Sequence, residues 1–411
     1  MATVVLVGTL DTKRDECAWI REEIEHLGHS VLVIDVGTFS DSSDDTFVSS
    51  EDVAQAGGAN LSKLREAGDR GAAMTTMAEG AAIVARRLFD DGKLDGMIAL
   101  GGSSGSSVAA AAMQILPVGV PKVLVSTMVS GDVSAYVGAK DIVLMPSIVD
   151  IAGINRISRT ILGNAAAAIA GMSTRYALRA EETSSALTIA ATMFGVTTPA
   201  VEEARARLEE LGYEVLVFHA TGAGGTAMES LVDDGLIDGV IDLTTTELVD
   251  DLVGGVLSAG PGRLEAAGHA GIPQVVSLGA LDMCNFGPRD TVPEKFADRI
   301  LVVHNPTVTL MRSTPAENAE LGRRIGSKLA KARGPVAVFV PERGFSALDV
   351  EGQPFFDPAA DKAAIDGMKD ALNGSAVRIT ELDMAINDSG FGRAAADALH
   401  ELISNPRKGN S

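Results

Sequence analysis

The stretch TVVLVGTLDTKRDECAWIREEIEHLGHSVLVIDVG (residues 3–37) decides the fold class. Thr3–Gly8 is a short apolar run closed by glycine, the pattern of a buried strand. Cys17, Ile20, Ile24 and Leu27 then recur at helical spacing, and Gly28 supplies a stop signal. Ser30–Gly37 is a second apolar run. Strand, helix and strand in this order make a βαβ unit, whose parallel strands require a right-handed crossover.

The same pattern returns in SALTIAATMFGVTTPAVEEARARLEELGYEVLVFHATG (185–222), with Thr198 and Pro199 as cap and first-turn proline of its helix. Further segments match in the same order. GKLDGMIALGGSSGSS (92–107) parallels GLIDGVIDLTTTELVD (235–250), and VGVPKVLVSTMVSGD (118–132) parallels AGIPQVVSLGALDMC (270–284). Ordered self-similarity of this kind predicts an internal duplication. The expected fold is α/β, with two Rossmann-like domains of mainly parallel sheet at 1–182 and 183–411. A connecting helical segment contains NAAAAIAGM (164–172), whose small side chains are expected at a domain or subunit contact. Later, Thr314, Pro315 and Glu317 read as a helix cap, first-turn proline and capping-box partner, and Asp357–Pro358 starts another helix.

Composition narrows the function. The 411 residues carry a net charge of −21, with 55 acidic against 34 basic side chains. A binder of phosphate backbones needs a basic face, so nucleic acid is not an expected ligand. Only two cysteines, Cys17 and Cys284, occur, and they form neither a disulfide framework nor a metal-site spacing. No secretory leader and no 18-residue apolar run is recognisable, which points to a cytoplasmic protein without a membrane partner.

Ligands of parallel α/β sheets bind beyond the carboxyl ends of the strands. Helix N-termini there present unpaired N–H groups and partial positive charge to an anion. Four loops occupy such positions. GTLDTK (8–13) offers Gly8, Thr9, Asp11, Thr12 and Lys13: hydroxyls, a carboxylate and a cation suited to phosphate. GGSSGSS (101–107) has the composition of a linker, but it lies between a strand and a helix. Gly101, Gly102, Ser103, Gly105 and Ser106 are its candidate contacts. HATGAGGTAM (219–228) adds Thr221, Gly222, Gly224, Gly225 and Thr226. In DLTTTEL (242–248), Thr244 and Glu247 read first as a capping box. The acid/base candidates are His219, Glu247, Asp282 and His304; Cys284 reads as an inert buried thiol. The sequence assigns no metal site.

These motifs together resemble a known family. VVLVGTLDTK, ALGGSSGSS, VDIAGINRISRTILGNAAAAIAGM, FHATGAGGTAMESL, DLTTTELVDDLVGG, VVSLGALDMCNFGPRDTVP and HNPTVTLMRSTPAENAELG carry the likeness. The family is that of the ATP-binding N-terminal region of the tomato mosaic virus resistance protein, with bacterial and fungal relatives. The resemblance implies two Rossmann-like domains, ATP binding and a homodimer; plant members continue into a further TIM-barrel-like domain. The antiviral activity does not transfer with these loops. The expected function is therefore nucleotide binding, with ATP phosphates on the Gly/Ser/Thr loops and Mg²⁺ offsetting charge. The alternative is a metabolic enzyme, a lyase, hydrolase or transferase, acting on a small phosphorylated or carboxylated substrate in the inter-domain cleft.

Overall fold

Alternating apolar runs and amphipathic stretches fold into two units, Met1–Thr183 and Ser184–Ser411. The computed structural model describes residues 1–41, 46–178 and 186–404. The expected boundary at 182/183 lies outside the described residues.

In the first unit the chain runs β1 (Thr3–Gly8), α1 (Arg14–His26), β2 (Ser30–Asp35), α2 (Ser50–Ala56), α3 (Leu61–Ala67), α4 (Arg70–Asp90), β3 (Gly96–Gly101) and α5 (Ser103–Gln114). It continues through β4 (Lys122–Ser126), α6 (Ser134–Val137), β5 (Val143–Pro146) and α7 (Arg156–Ala177). The strands form one sheet in the order β2-β1-β3-β4-β5, every pair parallel. Successive side chains of a strand point to opposite faces, and both faces are covered. Val5 and Val7 pack with Met77, Val84 and Met113 of α4 and α5. Val4 and Leu6 pack with Ile20, Ile24, Leu162 and Ile169 of α1 and α7. Burial on both sides explains why these strands read as continuous apolar runs.

Some of the small residues of α7 are used within their own unit. Ala165, Ala166 and Ala170 are buried, and the helix contacts α1, β1, β3 and β4 of its own unit. Their small volume lets α7 lie close to the sheet.

The second unit contains β6 (Thr188–Met193), α8 (Thr198–Glu210), β7 (Glu214–His219), α9 (Ala223–Asp233), β8 (Gly239–Thr244), α10 (Glu247–Val253), α11 (Ala266–Ala270) and β9 (Gln274–Gly279). There follow β10 (Met283–Phe286), β11 (Leu301–Asn305), β12 (Val308–Arg312), α12 (Pro315–Leu329), β13 (Val336–Pro341), α13 (Pro358–Leu372), β14 (Arg378–Leu382) and α14 (Phe391–Ser404). Its main sheet has the order β7-β6-β8-β9-β13-β14, all parallel. This repeats the first sheet strand for strand and adds one at the far edge, the topology an internal duplication requires. The insertion between β9 and α12 forms a separate antiparallel sheet, β10-β12-β11.

Local signals behave as their chemistry dictates. Thr314 and Glu317 form the reciprocal capping box of α12, and Asp357 caps α13. At α8 the cap position is Thr197 and Thr198 is the first helical residue, one position from the sequence reading. Among the described residues no helix is long and apolar enough to cross a membrane.

Candidate functional site

In the order β2-β1-β3, the chain leaves β1 toward one side of the sheet and returns on the other. At such a switch point the flanking loops diverge and leave a crevice beyond the strand ends. The first unit has a hollow of about 480 Å³ there, lined by Thr9, Asp11, Thr12 and Lys13 after β1 and by Gly102–Gly105 after β3. Two of the loops singled out in the sequence thus share one wall. The approach is close: a Cβ on Gly105 would stand 3.7 Å from the Thr9 methyl. Gly8 and Gly101 end their strands, and Ser106 is buried against Ser126, the two hydroxyls 2.6 Å apart. Ser106 therefore braces the loop from behind.

The electrostatics of the hollow follow from its helix ends. The N-cap of α5 is Gly102 in extended conformation, without a side-chain cap and without an acidic residue in the first turn. Its positive end is left for an outside anion. By contrast, α1 carries Asp15 and Glu16 in its first turn, and Asp69 caps α4. Lys13 lines the hollow while its Nζ donates to the Ile151 carbonyl at 2.8 Å. Two arginines missed in the sequence complete the set. Arg70 is exposed on the wall and donates to Ser104 Oγ at 2.9 Å. Arg65 spans the Thr38 and Ser40 carbonyls at 2.6 and 2.7 Å.

A buried carboxylate organises the same region. Asp35, at the end of β2, accepts from the Leu10 and Gly37 amides and from Ser40 Oγ, at 3.1, 2.8 and 3.0 Å. Burial raises its pKa, and these donors act in the opposite direction. It ties the loop after β1 to the loop after β2.

The third predicted loop is different. The Gly222 and Gly225 amides at the start of α9 donate to Glu247 Oε1, at 2.7 and 3.0 Å. Glu247 is fully buried, and its other oxygen pairs with buried Arg263 at 2.7 Å. A Cβ at Gly225 would overlap this carboxylate. Thus an internal carboxylate occupies the place assigned to phosphate on Gly222–Thr226. The expected capping box of Thr244 with Glu247 is likewise replaced, because Thr246 is the N-cap of α10 and Glu247 reaches away from it. Arg263 also binds Asp242, and Glu229 at 3.3 Å, which closes the network. At the strand pair equivalent to β1 and β3, the buried Thr197 and Thr244 hydroxyls meet at 2.8 Å.

The remaining acid/base candidates lie elsewhere. Asp282 is fully buried and accepts from Ser346 Oγ at 2.7 Å. Burial and the nearby Asp349 push its carboxyl up to about 7. With Asp349 and Asp361 it surrounds Arg312, which is ion-paired to the latter two at 3.3 and 2.9 Å. Three carboxyl groups thus share the surroundings of one guanidinium. His219 is exposed at the end of β7, its ring edge-on to Phe194. His304 lies within β11, exposed on the antiparallel sheet rather than after a parallel strand. Cys284 is buried, with its thiol pKa raised by burial. Among the described residues no cluster of three or more His, Cys, Asp or Glu is placed to hold a metal.

Fold and crevice define a class: a protein with two doubly wound α/β domains, the first carrying an anion-suited switch-point hollow. Family models extend this. The chain belongs to uncharacterised protein family UPF0261, whose N-terminal domain matches residues 2–178 and C-terminal domain residues 186–403. It is 50% identical over 402 residues to a UPF0261 protein of Clostridium tetani, covering 97% of this chain and 98% of that one. It is 41% identical over 423 residues to the ToMV resistance protein Tm-1(GCR237) of Solanum lycopersicum, covering 98% of this chain but 56% of the plant protein. The likeness to a solved UDP-GlcNAc 2-epimerase from Methanocaldococcus jannaschii is faint. Identity there is 9% and the TM-score 0.23, over 67% of this chain and 83% of that one; it says nothing of the ligand.

Proposed function

We propose that the first unit binds a nucleotide, ATP, with its phosphates on the N-terminus of α5 in the switch-point crevice. The observation that carries this reading is the uncapped, acid-free start of α5 facing the same hollow as Lys13 and Arg70. Amide donors and a helix dipole favour an anion, and the two cations add charge-assisted contacts. A volume of about 480 Å³ falls within the range of small-molecule sites. ATP as the particular nucleotide comes from the motif resemblance.

Magnesium fits as a companion of the nucleotide. Mg²⁺ commonly binds through one or two carboxylates plus substrate phosphates, and Asp11 is the carboxylate at hand after β1. The acid/base candidates of the enzyme alternative, His219, Glu247, Asp282 and His304, belong to the second unit and do not line this crevice. The homodimer remains part of the proposal, and sedimentation tests it.

Calorimetry with ATP and Mg²⁺ is the direct test. Saturable binding by the native chain, weakened about 10-fold in Arg70→Ala, is the expected result. Arg70 is exposed, so the variant should melt with the native protein. No heat and no thermal shift at millimolar nucleotide would overturn the proposal.

A further inference from the structure

Resting on that reading, we infer that Phe39 is a stacking platform for the flat base of the ligand. The crevice therefore selects nucleotides over phosphorylated molecules without an aromatic ring. The ring of Phe39 lines the hollow and is 71% exposed. Scattered exposed apolar residues are common, but the backbone that carries this one is tied down on both sides. Its backbone N–H donates to Asp11 Oδ2 at 3.0 Å. On either side, Arg65 holds the Thr38 and Ser40 carbonyls, and the Ser40 hydroxyl is fastened to Asp35. Four contacts to the side chains of Asp11, Arg65 and Asp35 thus fix this backbone at the hollow, and the Phe39 side chain it carries stays largely uncovered.

The wall around it has matching chemistry. Leu64, Ala73 and Met74 are apolar members of the lining, which also holds the polar Thr9, Asp11, Lys13, Arg70 and the Gly102–Gly105 loop. Phe39 follows β2 and Gly102 follows β3, with β1 between them, and the loop of Phe39 is fastened to the β1 loop through Asp11. A small sugar phosphate or carboxylate held at the start of α5 has no flat ring to cover the phenyl group. A base stacked on Phe39 removes both faces from water and needs no particular hydrogen-bonding edge, so stacking gives affinity for bases as a class.

The test compares two probes, Mg·ATP and inorganic tripolyphosphate, by calorimetry on the full chain and on Phe39→Ala and Phe39→Trp. The expected result is a loss of about 10- to 100-fold for ATP in Phe39→Ala, with tripolyphosphate binding unchanged. In Phe39→Trp, ATP should bind at least as well as in the native chain and quench the new indole, while tripolyphosphate should not; the native chain's Trp19 signal is the reference. Equal ATP binding in Phe39→Ala and the native chain would overturn the platform while leaving the phosphate site standing. A native chain that binds neither probe would remove both readings.

Discussion

Replacing Glu247 by alanine tests the assignment of this residue to architecture. Its carboxylate receives three donors: the Gly222 and Gly225 amides and Arg263 Nε. Each amide left unpaired in a buried setting costs about 1–3 kcal/mol. Breaking a buried ion pair by deleting one partner typically costs about 3–5 kcal/mol. Arg263 keeps Asp242 and Glu229 as partners, so it retains compensation and the terms do not simply add. A loss of about 3–5 kcal/mol is expected. For a unit of this size, each kcal/mol moves the midpoint by about 2–4 °C, which makes a drop of about 10 °C. Thermal unfolding followed by far-ultraviolet circular dichroism reads it, and Glu247→Gln, which keeps an acceptor oxygen, should fall between. A Glu247→Ala protein melting within about 1 °C of the native chain would refute the reasoning and return Glu247 to the list of reactive groups.

Other outcomes follow from the same geometry. Asp282 has its carboxyl raised from 3.8 to about 7, so the folded state holds a proton that the unfolded state releases. Its contribution is flat below about pH 4, declines as pH rises to about 7, and is flat beyond, spanning about 4 kcal/mol at most. Asp282→Asn should therefore lose less stability than the native chain between pH 4.5 and pH 8 in urea titrations. Asp349 and Asp361, also raised by burial, keep part of the slope, and an identical pH profile in the variant would refute the assignment. Thr314→Ala removes one half of the α12 capping box and should cost about 1 kcal/mol, read as a small midpoint shift; a neutral change would show that Glu317 alone holds the helix start.

Several features of the site were readable in advance, for local reasons. The loops after β1 and β3 announce themselves because glycine and hydroxyl residues interrupt apolar runs at the strand-to-helix junction. Arg65 and Arg70 were not readable. They stand in NLSKLREAGDRGAAM (60–74), where charged residues look like an ordinary solvated helix face. Their only local signal is a cation on either side of the Gly68–Asp69 break between two helices. Phe39 likewise looks like one apolar residue in a polar loop, until Asp11, Asp35 and Arg65 arrive from three other elements.

Glycine-rich composition could not separate a loop open to a ligand from one already satisfied. Gly102–Gly105 and Gly222–Gly225 look alike in sequence, yet only the second receives a carboxylate from within its own unit, 22 and 25 residues away. Helix caps, strand runs and the repeated βαβ pattern depend on neighbours a few residues apart, so the chain by itself determined the α/β class and the doubled architecture. Which N–H groups stay available, which carboxylates are buried beside arginine, and where a hollow opens depend on residues brought together by the crossovers. Those pairings are set by sheet order, and only the tertiary structure decided them.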